Sequence, residues 1–135
     1  MSFLNKLKMH EKHLYEYAVI RVVPRVEREE FINIGLLLFC KQQKYLRIAH
    51  RIPSEKIKSL CTEFDIEQLE LNLTSFTKIC AGDPDGGPIA AFEIAERFRW
   101  LTAVRSSSIQ TSRPHPGFSS DLDQTFEKLY RELVL

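Results

Sequence analysis

Three β-type segments follow one another within the first 52 residues, and this succession constrains the fold more than any other feature of the chain. They are Tyr15 to Pro24, Phe31 to Cys40 and Tyr45 to Ile52, each rich in β-branched, aliphatic or aromatic residues. A charged turn at residues 25–30 and a short polar turn at residues 41–44 connect them. Because connections this short join neighbouring antiparallel strands, the sequence predicts an antiparallel meander.

A helical period replaces the β pattern in most of the remaining chain. Apolar residues recur in steps of three and four after Ser54, Asp65, Pro88 and Ser120, which predicts four helices. Residues 105–112 are polar and β-permissive, so a fourth strand or an ordered loop is expected there. The predicted fold class is therefore α+β: a small antiparallel sheet of three to four strands with helices packed on one face.

The length of the chain sets its domain organisation. With 135 residues, 44% of them hydrophobic, the chain is long enough for one domain with its own core. The prediction is a basic N-terminal tail at residues 1–14 followed by a single α+β domain at residues 15–135. The tail is too polar for a signal peptide and no apolar run reaches the length of a membrane span, so we expect a cytoplasmic protein with no membrane association.

A period of two in the second segment divides the predicted sheet into two faces. Ile32, Ile34, Leu36 and Leu38 fall on one side and are expected to face the helices. The C-terminal helix has a single apolar stripe and can cover only one surface. The apolar residues of the other face therefore predict a homodimer or a protein partner that covers them. That face collects Tyr15, Tyr17, Val19, Arg21, Asn33, Gly35, Leu37, Phe39, Tyr45, Arg47 and Arg51.

Asn33 and Gly35 interrupt the otherwise apolar second segment. Both are poor strand residues, and glycine inside a strand marks a bulge or a close approach to the backbone. One interpretation is structural: Asn33 bonds a neighbouring backbone, and Gly35 makes room for an aromatic ring such as that of Tyr17. The other is a binding surface, on which Arg21 and Arg47 hold a carboxylate or phosphate and Asn33 orients it.

Two strand motifs resemble the opening of a bacterial protein family of unknown function. The chain reads Tyr-x-x-x-Arg-x-x-Pro at residues 17–24 and Glu-Phe-x-Asn-x-Gly-x-x-x-Phe at residues 30–39. Its last part, residues 98–135, is also similar to the end of that family. The resemblance implies no activity, but it implies a partner, because the family is associated with genes for kinase-like proteins of the HipA type. The residues that match its recurring pattern are Arg21, Glu30, Asn33, Gly35, Arg105 and Gln110.

Two further residues join this set on chemical grounds. Arg47 lies on the same predicted face as Arg21, and Ser106 begins a run of serines beside Arg105 whose hydroxyls can cradle an anion. We predict that Arg21, Asn33 and Arg105 converge in one polar cluster, with Glu30 as the counter-charge. The predicted ligand- or partner-binding residues are Arg21, Glu30, Asn33, Gly35, Arg47, Arg105, Ser106 and Gln110.

The sequence contains no pattern typical of a catalytic, metal or cofactor site. Walker, GxGxxG, HExxH, GxSxG and EF-hand motifs are missing, and the three cysteines form no CxxC pair. We therefore predict no catalytic residue, no metal and no cofactor.

Three functions from different classes are compatible with these residues. The first is a non-enzymatic binding or regulatory module of a bacterial or phage cytosolic system, acting with a kinase-like partner. The second is a nucleic-acid-binding or nuclease-like protein, since the first 52 residues hold ten Lys and Arg against five Asp and Glu, with tyrosines that can stack on bases. The third is a small enzyme that acts on an anionic substrate. The lack of a catalytic motif favours the first.

Overall fold

The computed structural model describes residues 11–103 and 108–135. In these two ranges five strands form one antiparallel sheet. Its order is β3–β2–β1–β4, and β5 pairs with the first half of β1 on the same edge that β4 uses. The strands are β1 (His13–Val22), β2 (Ile32–Cys40), β3 (Tyr45–His50), β4 (Ile109–Thr111) and β5 (His115–Ser119).

Four helices are present in the described ranges. Two of them begin at an aspartate that accepts a backbone hydrogen bond: Asp65 from the N–H of Gln68, and Asp121 from the N–H of Gln124. The segment after Pro88 first forms a short 3₁₀ turn, so the third helix begins later than the sequence predicts. The helices are α1 (Ser54–Leu60), α2 (Ile66–Ala81), α3 (Ile94–Leu101) and α4 (Leu122–Leu133).

The α+β class with an antiparallel sheet is confirmed, and the structure adds a second helical layer. Helices α1 to α3 pack on one face of the sheet, where Ile57, Leu73 and Phe98 belong to the larger hydrophobic core. Helix α4 packs on the opposite face through Leu122 and Phe126. The sheet is therefore sandwiched between helices rather than covered on one face only.

A β-bulge in β2 changes which side chains of the strand point toward α4. Ile20 pairs with Gly35 and the next residue, Arg21, pairs with Asn33, so Ile34 is an extra residue on β2. A bulge of this kind leaves one residue without a partner and bends the strand. It also shifts the phase of the side-chain alternation, because the period of two no longer holds across the extra residue.

The phase shift corrects the predicted faces. Ile32 and Ile34 face α1 to α3, whereas Leu36 and Leu38 contact α4 on the other side. The expectation that all four share one face is wrong, since it assumed an uninterrupted period of two.

The apolar face from which a homodimer or a covering partner was inferred is buried within the chain. Leu37 has no exposed area and Phe39 is 7% exposed. The Phe39 ring stacks on Phe98 of α3, with 5.0 Å between the ring centroids. Helix α4 covers the other side. The chain's own helices thus occupy both faces, and that inference loses its basis.

The predicted basic tail falls mostly outside the described residues, because the structure describes no residue before position 11. The tail and the domain boundary at residue 15 stay predictions. In the described ranges no helix is both long enough and apolar enough to cross a bilayer.

Ser112 bridges the gap between β4 and β5 on the edge of β1. Its backbone N–H donates to the carbonyl of Val19 at 2.8 Å. Its hydroxyl oxygen accepts from the N–H of Val19 at 2.9 Å and donates to the carbonyl of Arg113 at 3.1 Å. The side chain is 6% exposed. A buried backbone N–H needs an acceptor, and the hydroxyl supplies the one that a strand carbonyl would otherwise provide.

Replacing Ser112 by alanine should leave the Val19 N–H buried without an acceptor. We expect the free energy of unfolding to fall by about 1–2 kcal/mol, the usual cost of such a group. The control is Ser59→Ala, whose exposed hydroxyl donates to the carbonyl of Lys56 and should change stability by less than about 0.5 kcal/mol. Urea denaturation followed by circular dichroism measures both variants, and equal losses would contradict the bridging role.

Candidate functional site

Three of the predicted site residues form a row across the sheet. Arg21 on β1 pairs with Asn33 on β2 and with Gln110 on β4. Residues that pair in adjacent strands point to the same face. This face is the one covered by α4, because Asn33 contacts the last turn of that helix. The antiparallel register thus brings together residues that are far apart in the sequence.

Asn33 fastens the end of α4 to the sheet. Its Nδ2 donates a hydrogen bond of 3.1 Å to the carbonyl oxygen of Leu133. Carbonyls in the last turn of a helix have no partner within the helix, so this contact satisfies one of them. The buried Oδ1 of Asn33 has no hydrogen-bond partner in the described structure. The structural interpretation of Asn33 therefore accounts for its amide nitrogen and leaves its amide oxygen unexplained.

Arg21 is a cation that stacks on an aromatic ring. Its Cζ lies 4.4 Å from the centroid of the Phe31 ring, and Phe31 is 51% exposed. Such a cation–π contact holds the guanidinium over the ring. Among the described residues no carboxylate forms an ion pair with Arg21. Its Nε is buried and has no hydrogen-bond partner within residues 11–103 and 108–135.

Glu30 is not the counter-charge of Arg21, which corrects the sequence-based expectation. Its carboxylate lies 2.9 Å from the Nε of Arg28, its near neighbour in the turn between β1 and β2. A local pair of this kind forms more readily than one with a residue on the next strand, because little chain has to be ordered.

A cleft of about 330 Å³ opens beside the guanidinium of Arg21. Its described lining combines one cation, one anion, one amide and three apolar side chains, and it includes no histidine, cysteine or hydroxyl group. The arrangement can therefore bind and orient an anionic group, while a nucleophile for covalent chemistry is missing from the described lining. The lining residues are Arg21, Val23, Val26, Glu29, Phe31 and Gln110.

Arg47 lies apart from this cleft and has a structural role. Its guanidinium contacts Asp123 at 3.2 Å and Glu127 at 2.8 Å, both on α4. The hydroxyl of Tyr45 donates to the same Asp123 at 2.7 Å, and burial together with this hydrogen bond raises the pKa of Tyr45 to about 12. The cation also lies 4.2 Å from the centroid of the Phe126 ring. Arg47 thus fastens α4 to β3.

Gly35 is required by packing. A Cβ atom at this position would lie 2.9 Å from the backbone oxygen of Ala49 and 3.1 Å from the side chains of His50 and Ile20. The glycine makes room for β3 and for Ile20, and not for an aromatic ring as the sequence suggested.

Two predicted site residues, Arg105 and Ser106, lie outside the described residues. The predicted convergence of Arg105 with Arg21 and Asn33 therefore stays a prediction. In the described ranges no group of three or more His, Cys, Asp or Glu side chains is placed to hold a metal ion.

Three of the residues that suggested nucleic-acid binding are engaged within the chain. Tyr17 and Tyr45 pack against the smaller core beneath α4, and Arg47 is held by two acidic residues of that helix. These three side chains therefore have structural partners, and nucleic-acid binding by the rest of the basic first 52 residues stays a prediction.

Sequence reasoning missed four lining residues of the cleft: Val23, Val26, Glu29 and Phe31. A signal existed for Phe31, because it shares the phase of Asn33 at the start of the second segment. Val26 and Glu29 belong to a charged turn, and turns of this composition are normally solvated. Only the three-dimensional structure places them beside Arg21.

Comparison with known proteins identifies a family for this chain. The model of a family described as "Protein of unknown function (DUF3037)" matches residues 17–134. No curated protein and no solved structure matches the chain. The matched range contains the whole cleft and both helical layers.

Proposed function

Because the chain belongs to the DUF3037 family of proteins of unknown function, we propose its role from the cleft around Arg21. The protein is a non-enzymatic binding module that holds a carboxylate group of a protein partner in this cleft. One observation carries the proposal: the Arg21 guanidinium is stacked on a half-exposed ring and has no carboxylate partner among the described residues.

The geometry of the guanidinium favours a carboxylate. Arginine presents a planar set of N–H donors that matches the two oxygens of a carboxylate. The ring of Phe31 already holds the guanidinium in place, with 4.4 Å between the Arg21 Cζ and the ring centroid, so less conformational freedom is lost when the ligand binds. A partly buried cation without an anion is costly, and an incoming carboxylate supplies the missing charge.

The other lining residues disfavour a phosphate. Arg21 is the single cation among the described lining residues, and Glu29 lines the same cleft. Glu29 would repel a dianionic phosphate more strongly than a singly charged carboxylate. Val23, Val26 and Phe31 provide apolar contacts for a hydrocarbon stem. The cleft therefore suits a carboxylate on an aliphatic chain, such as an acidic side chain of a protein.

The setting of this binding is part of the proposal and rests on the sequence. The resemblance described above supports a bacterial or phage cytosolic system in which the partner is a kinase-like protein. Affinity capture from the native host with wild-type and Arg21→Gln baits, followed by mass spectrometry, tests this part. A kinase-like protein retained by the wild type and lost by the variant supports it, and its retention by both baits contradicts it.

Titration with valerate tests the carboxylate site directly. We expect valerate to shift the Arg21 Nε–H resonance in NMR spectra with millimolar affinity, because one carboxylate on a short stem makes few contacts. Arg21→Gln should abolish the shifts at the cleft, and Arg99→Gln, which removes an exposed arginine of α3, should retain them.

The neutral isostere valeramide controls for the apolar stem. It should bind at least about tenfold more weakly, since it lacks the charge that pairs with arginine. Equal shifts with valerate and valeramide, or with wild type and Arg21→Gln, would show that Arg21 does not bind a carboxylate. Thermal melts confirm that each variant is folded.

A further inference from the structure

Glu29 carries a second unpaired charge in the same cleft. The turn between β1 and β2 contains two local ion pairs, Arg28 with Glu30 at 2.9 Å and Arg25 with Glu27 at 4.0 Å. Glu29 takes part in neither, and no ion pair joins it to any described residue. Of the three glutamates in this turn, Glu29 is therefore the one whose carboxylate can pair with a cationic group of a ligand.

The backbone of Glu29 sets it apart from its neighbours. Its φ of 57° and ψ of 14° lie in the left-handed region, where its N–H bonds the carbonyl of Val26 at 3.2 Å and ends the 3₁₀ turn. Glycine or asparagine normally occupies such a position, because the left-handed region crowds the Cβ atom of other residues. A glutamate in this conformation lines the cleft together with Val26.

Arg21 and Glu29 line one cleft without neutralising each other. Their charged atoms are not within the 4.0 Å of an ion pair, although the cleft measures only about 330 Å³. Two opposite charges held apart in this way complement a ligand that carries both signs. Apolar side chains of Val23 and Phe31 share the lining, and they suit a hydrocarbon stem between the two charges.

We propose that the ligand group of this cleft is dipolar. Its carboxylate binds Arg21 and a cationic nitrogen of the same ligand binds Glu29. The contact between the carboxylate and Arg21 rests on the function proposed above. The contact between the cationic nitrogen and Glu29 is new. The shared chemistry has two sources: an acidic and a basic side chain of one peptide segment, or a free ω-amino acid.

The test compares valerate with 5-aminovalerate, which differs from it only by a terminal ammonium group. We expect wild-type protein to bind 5-aminovalerate about two- to fivefold more tightly, the range for one exposed ion pair. Glu29→Gln should remove this advantage and raise the affinity for valerate, because the glutamate no longer repels the carboxylate in the cleft. Glu27→Gln removes the same charge from the same turn and should keep the advantage, because Glu27 does not line the cleft.

Each outcome has a distinct meaning. If valerate binds but 5-aminovalerate has no advantage, or if Glu27→Gln and Glu29→Gln remove it equally, the dipolar proposal is overturned while the carboxylate site stands. If neither compound binds, both proposals fail. A capped peptide containing Glu and Lys two residues apart separates the sources: tighter binding than 5-aminovalerate indicates a protein segment, and weaker binding indicates a free amino acid.

Discussion

Replacing Phe126 by alanine is expected to lower the free energy of unfolding by about 3–5 kcal/mol, the usual cost of deleting a buried phenylalanine side chain. Phe126 is 1% exposed and belongs to the smaller core between α4 and the sheet. Its ring lies parallel to that of Tyr130, with 6.3 Å between the centroids, and supports the guanidinium of Arg47 at 4.2 Å. Guanidinium denaturation measures the loss.

The matched control is Phe118→Ala. Phe118 lies on β5 and is 67% exposed, so the same substitution there should change stability by less than about 0.5 kcal/mol. Similar losses for both variants would mean that α4 does not form a second core on the sheet.

Replacing Gly35 by alanine should cost about 2–3 kcal/mol, in the upper part of the range for overpacking. The added Cβ would meet the backbone oxygen of Ala49 at 2.9 Å, and a backbone atom within a paired strand cannot move aside. The side chains of His50 and Ile20 close the remaining space at 3.1 Å. Thermal or urea unfolding of the variant provides the measurement.

Gly117→Ala serves as the control for this substitution. A Cβ at position 117 would overlap the hydroxyl and ring of Tyr15, which are the far end of a flexible and only partly buried side chain. We expect a loss below about 1 kcal/mol, because a flexible side chain can yield where a strand backbone cannot. A larger loss for Gly117→Ala than for Gly35→Ala would contradict the requirement for glycine in β2.

The fold class could be predicted because the strand and helix periods are clear in most of the chain. The bulge at Ile34 could not, since residues 36–39 are apolar at every position and fit the core in either phase. The sequence also does not show which surface α4 packs against. Its apolar stripe is visible in the sequence, but whether it covers the sheet or another chain depends on tertiary packing.

The candidate site was predictable in part. Arg21, Asn33 and Gln110 stood out as polar residues in β-type segments, and the register places them in one row. Arg47 stood out for the same reason but has another role, because its acidic partners on α4 are 76 and 80 residues away in the sequence. No local pattern signals an ion pair over such a distance.

Strands β4 and β5 both pair with the outer edge of β1, and this arrangement affects how the chain folds during synthesis. Strands β2 and β3 follow β1 immediately, whereas Ser112, which completes the edge, is 93 residues away from Val19. A chain growing on the ribosome can close the three-stranded meander early, but residues 51–108 must be synthesised before β4 and β5 exist. Until then the edge of β1 is an unpaired template that another nascent chain can join. Correct folding of this protein therefore depends on keeping that edge isolated until its own distant strands arrive.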